Sequence, residues 1–313
     1  MTKIVPLEEI TDAARHGVIT IGNFDGVHKG HAVLIRQAKR MAHAFDGPVV
    51  AVAFDPHPAA ILRPDQVPPT LTWLERRAEL LGEHGTDFLV VIPTNKTFLN
   101  LSATEFFASL VQQQLAARGI VEGPNFFFGR NRGGDIQTLQ SLCDEGGVEL
   151  SIAQPSRDSD LMISSTRIRD LISAGNMNPA ISLLGHPHRI RGKVAHGVGR
   201  GKKIGFPTAN LHDIDVLVPS DGVYGGYAIV GDERHKAAIH IGPNPTFDDQ
   251  PDLKIEIHLL DYNGDLYDRE LMVDFITRVR DTRRFDSPEQ LVSQLKRDIE
   301  SIRISLFQSE SKA

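Results

Sequence analysis

The stretch GVITIGNFDGVHKGH, residues 17–31, decides the fold of the first half of the chain. A β-branched run opens it, a glycine-rich turn follows, and a segment of helical period begins at its end. A turn of this kind lets main-chain N–H groups and the positive end of a helix approach a phosphate closely. His28 and His31, at the start of the helix, can donate hydrogen bonds to phosphate oxygens. The stretch therefore predicts a nucleotide-phosphate site, with two ordinary helix-start histidines as the alternative interpretation.

The same alternation of strand and helix continues through the first half of the chain. Strand patterns lie at residues 17–21, 48–54, 87–92, 119–123 and 148–154, and segments of helical period separate them. Repeated βα units predict an α/β fold, a Rossmann-like doubly wound sheet with helices on both faces. Ligands of such sheets bind beyond the carboxyl ends of the strands, which is where Gly22, Asn23 and Asp25 fall.

The alternation of strand and helix patterns ends in the second half of the chain. Short strand-like runs follow one another between Gly, Pro and Asp clusters, and Asn263-Gly264 predicts a tight hairpin turn. Only the segment that begins at Pro288 predicts a long helix. The sequence thus predicts two domains, residues 1–184 with the doubly wound sheet and residues 185–309 with a small antiparallel β-barrel and a C-terminal helix.

The composition argues against several classes of protein. The chain has 313 residues, with 34 Lys and Arg against 40 Asp and Glu and a net charge of −6, so we expect no nucleic-acid partner. Its single cysteine, Cys143, cannot form an intrachain disulfide or a cysteine zinc site. No apolar run reaches the length of a signal-peptide core or a membrane span, so we expect a cytoplasmic protein without a membrane partner. The sequence leaves the oligomeric state open.

Two further segments of the first domain fit a nucleotide-transfer site. In NFFFGRNRGGD, residues 125–135, rings such as Phe128 can stack on a flat ring while arginines pair with phosphate. A hydrophobic edge followed by a solvated turn is the alternative. In SSTRIR, the hydroxyls of Ser165 and Thr166 can cap a helix and donate to a phosphate. Arg169 can neutralise a leaving pyrophosphate, a role that helix capping does not explain.

A separate set of residues in the second domain fits a kinase. The segment GKKIGFPTANL, residues 201–211, joins a basic glycine loop, with Lys202 and Lys203, to Thr208 and Asn210. Side chains two residues apart in an extended segment share one face. A Thr hydroxyl and an Asn carbonyl are neutral oxygen ligands that suit Mg²⁺ bound to ATP. The sequence contains no Walker A motif, so a P-loop kinase is excluded.

Glu256 is the candidate base of that kinase. The run KIEIHLL places Lys254, Glu256 and His258 on one face of a strand. If this face lines the ligand crevice, Glu256 can take the proton of a hydroxyl that attacks a γ-phosphate. An ordinary solvated strand face is the alternative interpretation.

Together these motifs resemble the bacterial bifunctional riboflavin kinase/FAD synthetase family along nearly the whole chain. The segments GNFDGVHKGH, FDPHP, NFFFGRNRGGD and SSTRIR follow that family's adenylyltransferase order, and GKKIGFPTANL, DGVYGGYA and EIHLLDYNGDLYD follow its kinase order. The resemblance implies that the first domain converts FMN and ATP to FAD and pyrophosphate. It also implies that the second domain converts riboflavin and ATP to FMN and ADP, and that both reactions use Mg²⁺.

The resemblance assigns roles by position. His28, His31, Asn23, Ser165, Thr166 and Arg169 match the ATP-binding and transfer motif, Asn125 matches the flavin side, Thr208 and Asn210 match the Mg-ATP ligands, and Glu256 matches the catalytic base. We further expect Gly22, Asp25, Lys202 and Lys203 to contact ATP, and Phe128 to contact the flavin. Met162, His240 and Asp268 stand where the family commonly has a basic residue, Asn and Gly, respectively. A flavin-binding protein with only one active module is therefore the alternative.

Overall fold

The computed structural model describes residues 1–154, 157–158, 161–195, 201, 204–242 and 254–310. These residues form two compact units, of which the first ends at Ser164 and the second begins at Ser165. Lys202 and Lys203, which the sequence predicts to bind ATP, lie outside the described residues. In the part of the chain that these ranges cover, no helix is both long and apolar enough to cross a membrane.

The first unit is built on a six-stranded parallel sheet. Its strands are β1 (Lys3–Pro6), β2 (Val18–Ile21), β3 (Val49–Asp55), β4 (Phe88–Pro93), β5 (Gly119–Glu122) and β6 (Glu149–Ile152), in the order β1-β4-β3-β2-β5-β6. A short antiparallel pair, β7 (Arg157–Asp158) and β8 (Leu161–Met162), follows β6. The five strands predicted from sequence are confirmed to within two residues. The prediction missed β1, which lies at the sheet edge and shows no buried position in its pattern.

Helices cover both faces of this sheet. They are α1 (Lys29–Phe45), α2 (Pro58–Leu62), α3 (Leu74–Glu83), α4 (Lys96–Leu99), α5 (Ala103–Phe106) and α6 (Ile136–Gly146), with a π-helical segment at Phe107–Gln114 and 3₁₀ turns at Leu7–Glu9, Asp12–Ala14, Pro64–Gln66 and Arg130–Arg132. Neighbouring residues of β2 point to opposite faces, so Ile19 packs with Leu110 in one core and Val18 packs with Ile35 in the other. The predicted doubly wound α/β fold is confirmed.

The second unit is a closed antiparallel barrel with three helices described beside it. The strands are β9 (His188–Ala195), β10 (Ala209–His212), β11 (Gly222–Val230), β12 (Glu233–Gly242), β13 (Lys254–Leu259) and β14 (Glu270–Arg280), in the closed order β10-β13-β12-β11-β14-β9. The helices are α7 (Ser165–Ser173), α8 (Met177–Leu184) and α9 (Pro288–Glu310). The predicted barrel and C-terminal helix are confirmed. The structure also forms a strand, β10, in the segment around Thr208 and Asn210, which the sequence predicts only to be extended.

The long helix α9 is held on the barrel by apolar and ionic contacts. Ile302 is fully buried and packs in one cluster with Tyr227 of β11. Arg280 of β14 donates to both oxygens of Asp298 at 2.7–3.0 Å, and Asp298 is only 3% exposed. Breaking a buried pair by removing one partner leaves an unpaired buried charge, so this contact fixes α9 to the end of β14.

Candidate active sites

The turn between β2 and α1 is fixed by the carboxylate of Asp25. Its oxygens accept hydrogen bonds from the N–H groups of Leu71 and Thr72 at 3.0 Å. The hydroxyl of Thr72 in turn accepts the N–H of Gly26 at 3.0 Å. Asp25 is only 5% exposed, and its network holds Phe24 at a φ of 48°, a left-handed conformation that is unfavourable for a side chain of this kind. The structure therefore gives Asp25 an anchoring contact that sequence reasoning did not foresee.

His28 and His31 lie against each other at the start of α1. Their rings are stacked, with centroids 3.7 Å apart and planes 15° apart. Nδ1 of His28 accepts the N–H of His31 at 3.3 Å, which makes His28 the helix cap and leaves Nε2 to carry the ring proton. Gly30 is required between them, because a Cβ there would lie 2.9 Å from Cε1 of His28. The structure thus brings together the two histidines that the sequence singled out.

The surroundings of His31 keep its ring neutral. Burial is the largest cause that holds its pKa well below the usual range, and the neighbouring His28 and Arg77 lower the pKa further. A neutral imidazole carries one N–H donor and one acceptor nitrogen. Nδ1 of His31 is buried and has no hydrogen-bond partner among the described residues. His31 therefore offers a neutral donor to an incoming phosphate rather than a permanent positive charge.

His57, in the loop after β3, positions the side chain of Asn23. Nδ1 of His57 accepts the N–H of Ala59 at 3.0 Å, so the ring proton lies on Nε2. The amide of Asn23 lies 2.7 Å from that Nε2. The structure has the amide nitrogen of Asn23 at this position, and since the oxygen and nitrogen of a side-chain amide are assigned from the hydrogen-bond network, turning the amide over would let its oxygen accept the Nε2 proton. The FDPHP segment, which the sequence predicts only as a turn beside the crevice, thus orients a residue of the ATP motif.

The loop after β5 carries the predicted flavin-side residues, Asn125 and Phe128. The amide nitrogen of Asn125 lies 3.6 Å from Sδ of Met162. Phe128 is only 5% exposed, and its ring packs on Phe106 and Phe126 with centroids 5.6 Å and 5.4 Å away. Phe128 is therefore a core residue of this unit.

The exposed ring of this aromatic run belongs to Phe127. It is 46% exposed, and the guanidinium of Arg132 lies over it at 4.4 Å from the ring centroid. Neighbouring residues of an extended run point to opposite sides, so Phe127 faces outward where Phe128 faces the core. The exposed ring of Phe127, with the guanidinium of Arg132 above it, can therefore stack on another flat ring beside the loop that follows β5.

Glu122, at the carboxyl end of β5, is a buried carboxyl that sequence reasoning missed. It is 2% exposed, and its Oε1 accepts the N–H of Ile21, the last residue of β2, at 2.6 Å. Burial raises its pKa well above the usual range, while hydrogen bonds from the N–H groups of Ile21 and Gly123 oppose the rise. A Glu within the strand-like run GIVEG was the available signal, since charged residues are almost never fully buried without a reason.

Ser165, Thr166 and Arg169 all lie on α7, in the second unit. Ser165 is the first residue of this helix, and Arg169 lies about one turn further along. Thr166 is exposed and Arg169 is half-buried. The predicted helix start is confirmed.

In the barrel, three polar residues lie side by side across neighbouring strands. Asn210 of β10 is paired in register with Glu256 of β13, and Glu256 is paired with His240 of β12. Directly opposed residues of antiparallel strands point to the same face, with Cβ atoms about 4.5–5.5 Å apart. All three are half-buried, and burial lowers the pKa of His240 although the charge of Glu256 acts to raise it. Glu256 therefore lies beside a predicted Mg-ATP ligand, as a kinase base should.

His258, on the same face of β13 as Glu256, holds the segment that precedes Asn210. Its Nδ1 lies 2.7 Å from the carbonyl oxygen of Pro207, and since a carbonyl only accepts, Nδ1 donates. The ring of Phe206 meets His258 edge to face at a centroid distance of 5.6 Å. His258 thus fixes the chain immediately before Thr208.

The donors near Thr208 fit a metal ion that arrives with a nucleotide. The described residues contain no group of three or more His, Cys, Asp or Glu side chains that could hold a metal ion by themselves. Thr208 and Asn210 offer neutral oxygens, and Mg²⁺ is commonly bound by few protein ligands together with substrate phosphates and water. These residues therefore fit an Mg²⁺ ion that is bound together with ATP.

Comparisons with known proteins match both halves of the chain. A family model described as FAD synthetase matches residues 10–167, and one described as riboflavin kinase matches residues 184–306. A protein of Escherichia coli strain K12, named bifunctional riboflavin kinase/FMN adenylyltransferase, is 34% identical over 300 residues, which cover 95% of this chain and 96% of that protein. This chain belongs to the bifunctional riboflavin kinase/FMN adenylyltransferase family. Members from Pseudomonas fluorescens and Bacillus subtilis are 34% and 33% identical and are covered to 95% and 93%.

A solved structure shares the fold over almost the full length of this family member. It is described as a macrolide-efflux protein from Streptococcus pneumoniae, is 35% identical, and has a TM-score of 0.87. The likeness covers 96% of this chain and 98% of that one. The FAD synthetase match includes Ser165 and Thr166 and ends before Arg169.

The structure accounts for one departure from the family's usual sequence. Asp268, which stands where glycine is common, has a φ of 59°, the left-handed region that favours glycine. Asp tolerates this region better than most residues, so the turn is kept. His240, in place of the common Asn, lies opposite Glu256 and keeps a polar group there.

Proposed function

We propose that residues 1–184 carry the FMN adenylyltransferase activity of this family member and residues 185–309 carry its riboflavin kinase activity. The order of the two family matches along the chain supports this division. The second domain would convert riboflavin and ATP to FMN and ADP, and the first would convert that FMN and a second ATP to FAD and pyrophosphate. The observation that carries the proposal is the presence of two separate polar constellations, stacked His28 and His31 in one unit and paired Asn210 and Glu256 in the other.

In the adenylyl transfer, a phosphate oxygen of FMN attacks the α-phosphorus of ATP while the bond to pyrophosphate breaks. The site offers donors for developing charge and no activated protein nucleophile, so we propose direct transfer. His28 and His31 donate to the phosphates from the start of α1. Arg169 neutralises the leaving pyrophosphate.

Further residues of the first reaction bind the substrates. Gly22, Asn23, Ser165 and Thr166 contact ATP through main-chain and side-chain donors. The carboxylate of Asp25 acts on ATP through the turn that it anchors, because its oxygens are occupied by Leu71 and Thr72. On the flavin side, Asn125 contacts FMN, Phe128 supports that surface from the core, and the exposed ring of Phe127 is the face available for stacking.

In the kinase reaction, Glu256 takes the proton of the terminal ribityl hydroxyl as that oxygen attacks the γ-phosphorus of ATP. The bond to ADP breaks in the same step, and the proton remains on the carboxyl until it passes to solvent. Thr208 and Asn210 would hold Mg²⁺, which would neutralise phosphate charge when bound with ATP. Lys202 and Lys203 are proposed to contact the phosphates of ATP.

The substrates proposed for this chain are riboflavin, FMN and ATP, and the proposed compartment is the cytoplasm. The rival proposal is a flavin-binding protein in which only one module is active, which the changes at Met162, His240 and Asp268 motivate. The retained Asn210 and Glu256 pair supports an active kinase instead.

One experiment separates these proposals. Purified protein is mixed with riboflavin, ATP and Mg²⁺, and riboflavin, FMN and FAD are resolved over time. We expect FMN to appear first and FAD to follow. Accumulation of FMN without FAD, or no conversion while flavin still binds, would support the rival.

A further inference from the structure

Glu122 lies at the point where two neighbouring strands of the first sheet, β2 and β5, separate. Strands β2 and β5 are paired only through Val18 with Gly119 and Ile19 with Ile120. Beyond these pairs, the N–H of Ile21 is bound by Oε1 of Glu122 at 2.6 Å rather than by a main-chain carbonyl of β5. A side chain thus takes the place of a ladder hydrogen bond where the sheet opens. In a doubly wound sheet, the ligand crevice lies at such a point.

The same residue connects the beginnings of both loops that leave this opening. It accepts the N–H of Ile21, which directly precedes Gly22 and Asn23 in the turn proposed to bind ATP. Glu122 is itself the last residue of β5, and its main chain leads directly into the loop proposed to bind FMN, with Asn125 three residues later. One side chain therefore sets the distance between the two main-chain segments from which the substrates are contacted.

Stability alone does not account for a carboxyl in this place. Glu122 is 2% exposed, and its neighbours Ile120 and Val121 are fully buried. A carboxyl loses its hydration when it is buried, whereas an apolar side chain gains from burial. The pKa of Glu122 is accordingly raised by burial. What an apolar residue could not supply is the hydrogen bond to Ile21.

We propose that Glu122 is a positioning residue of the adenylyl transfer, whose carboxyl holds the ATP turn and the FMN loop at the separation that the reaction needs. The proposal rests on the proposed roles of Asn23 and Asn125 in the first domain. Attack on the α-phosphorus requires the two substrates to be aligned, and a misplacement of about 1 Å can lower a rate about 10²-fold.

The test compares two substitutions of similar length. Glu122→Met removes both hydrogen-bond acceptors but keeps an unbranched side chain that suits the buried space. Glu122→Gln keeps one carbonyl acceptor for an N–H group. Glu149→Met, on the exposed first position of the neighbouring strand β6, is the matched control. FAD formation from FMN and riboflavin phosphorylation are both measured on the full chain, with KM for ATP and FMN determined separately.

We expect Glu122→Met to lower kcat/KM for FAD formation about tenfold or more, with KM raised for both ATP and FMN because both segments shift. Glu122→Gln should stay within about threefold of the wild type, and riboflavin phosphorylation should be unchanged in both. A loss of folded protein would lower kcat and leave both KM values alone. Unchanged KM values in folded Glu122→Met would overturn the proposal.

Two further measurements keep the result decisive. If Glu122→Met does not fold, Glu122→Asp replaces it, because a side chain one methylene shorter cannot reach the N–H of Ile21 from β5 and should show the same rise in both KM values. If the wild-type chain makes no FAD at all, the proposed function of the first domain fails rather than the role of Glu122.

Discussion

Glu256 of β13 and Asn210 of β10 face each other directly across two neighbouring strands of the barrel. Their side chains point to the same face, so Glu256 is not isolated on a solvated strand surface. Its other register partner is His240, and all three residues are half-buried. This pairing favours the interpretation of Glu256 as the kinase base over the interpretation as an ordinary surface residue.

Glu256→Gln should lower riboflavin phosphorylation by about 10² to 10⁴, because the amide keeps the shape of the side chain but cannot take a proton. FMN adenylylation, measured with FMN supplied directly, should be unchanged. The midpoint of thermal unfolding should change little, since the substitution is nearly isosteric. Glu270→Gln, at the exposed start of β14, is the control. A Glu256→Gln variant with more than about half of wild-type turnover would return Glu256 to the surface interpretation.

His258→Ala should raise the KM for ATP in riboflavin phosphorylation, on the order of tenfold, because it removes the hydrogen bond to the carbonyl of Pro207 that fixes Thr208. His258→Gln should restore much of the affinity, since its amide N–H can donate to the same oxygen. Binding of Mg-ADP, followed by calorimetry, gives a readout independent of turnover. His212→Ala, at the exposed end of β10, should leave both values unchanged. Equal ATP affinity in His258→Ala and the wild type would show that the hydrogen bond from His258 to Pro207 does not position Thr208 for ATP.

His31→Ala should lower FAD formation by about 10² or more and leave riboflavin phosphorylation nearly intact, because only the first site loses a phosphate donor. His43→Ala, an exposed histidine near the other end of α1, is the matched control. An equal fall in both reactions would show that the assignment of activities to the two domains is wrong.

The local patterns of the sequence were sufficient to predict the fold and part of the site in the first domain. Central strands buried on both faces read as continuous β-branched runs, so β2 and β3 were predictable from composition alone. The stacked pair of His28 and His31 follows from a spacing within one helical turn. In both cases the residues that interact are close in sequence.

Relationships between distant residues were not predictable. Asp25 was expected to contact ATP, but its partners Leu71 and Thr72 come from another loop, and no spacing within the motif reveals them. Phe128 was chosen from three adjacent rings, and which ring faces the core depends on the path of the loop. The pairing of Glu256 with Asn210 requires the barrel to close, because β10 and β13 are not neighbours along the chain.

The raised pKa of Glu122 predicts that this residue makes the stability of the first unit depend on pH. Below about pH 4.5, its ordinary pKa, the carboxyl is protonated in the folded and unfolded states alike and contributes no pH dependence. Above that pH the unfolded chain ionises while the folded protein keeps the proton, so the free energy of unfolding falls until the pH passes the raised pKa.

Glu122→Gln removes this group from the titration, so the variant should become more stable than the wild type as the pH rises. The difference in the free energy of unfolding should grow by up to about 1.4 kcal/mol per pH unit above the ordinary pKa. Urea unfolding from about pH 5 to pH 8 measures it, with the fluorescence of the buried Trp73 as a reporter of the first unit. Groups common to both proteins cancel in the difference. Glu149→Gln, an exposed carboxyl, should show no such trend, and a difference for Glu122→Gln that stays constant with pH would mean that Glu122 is ionised in the folded protein.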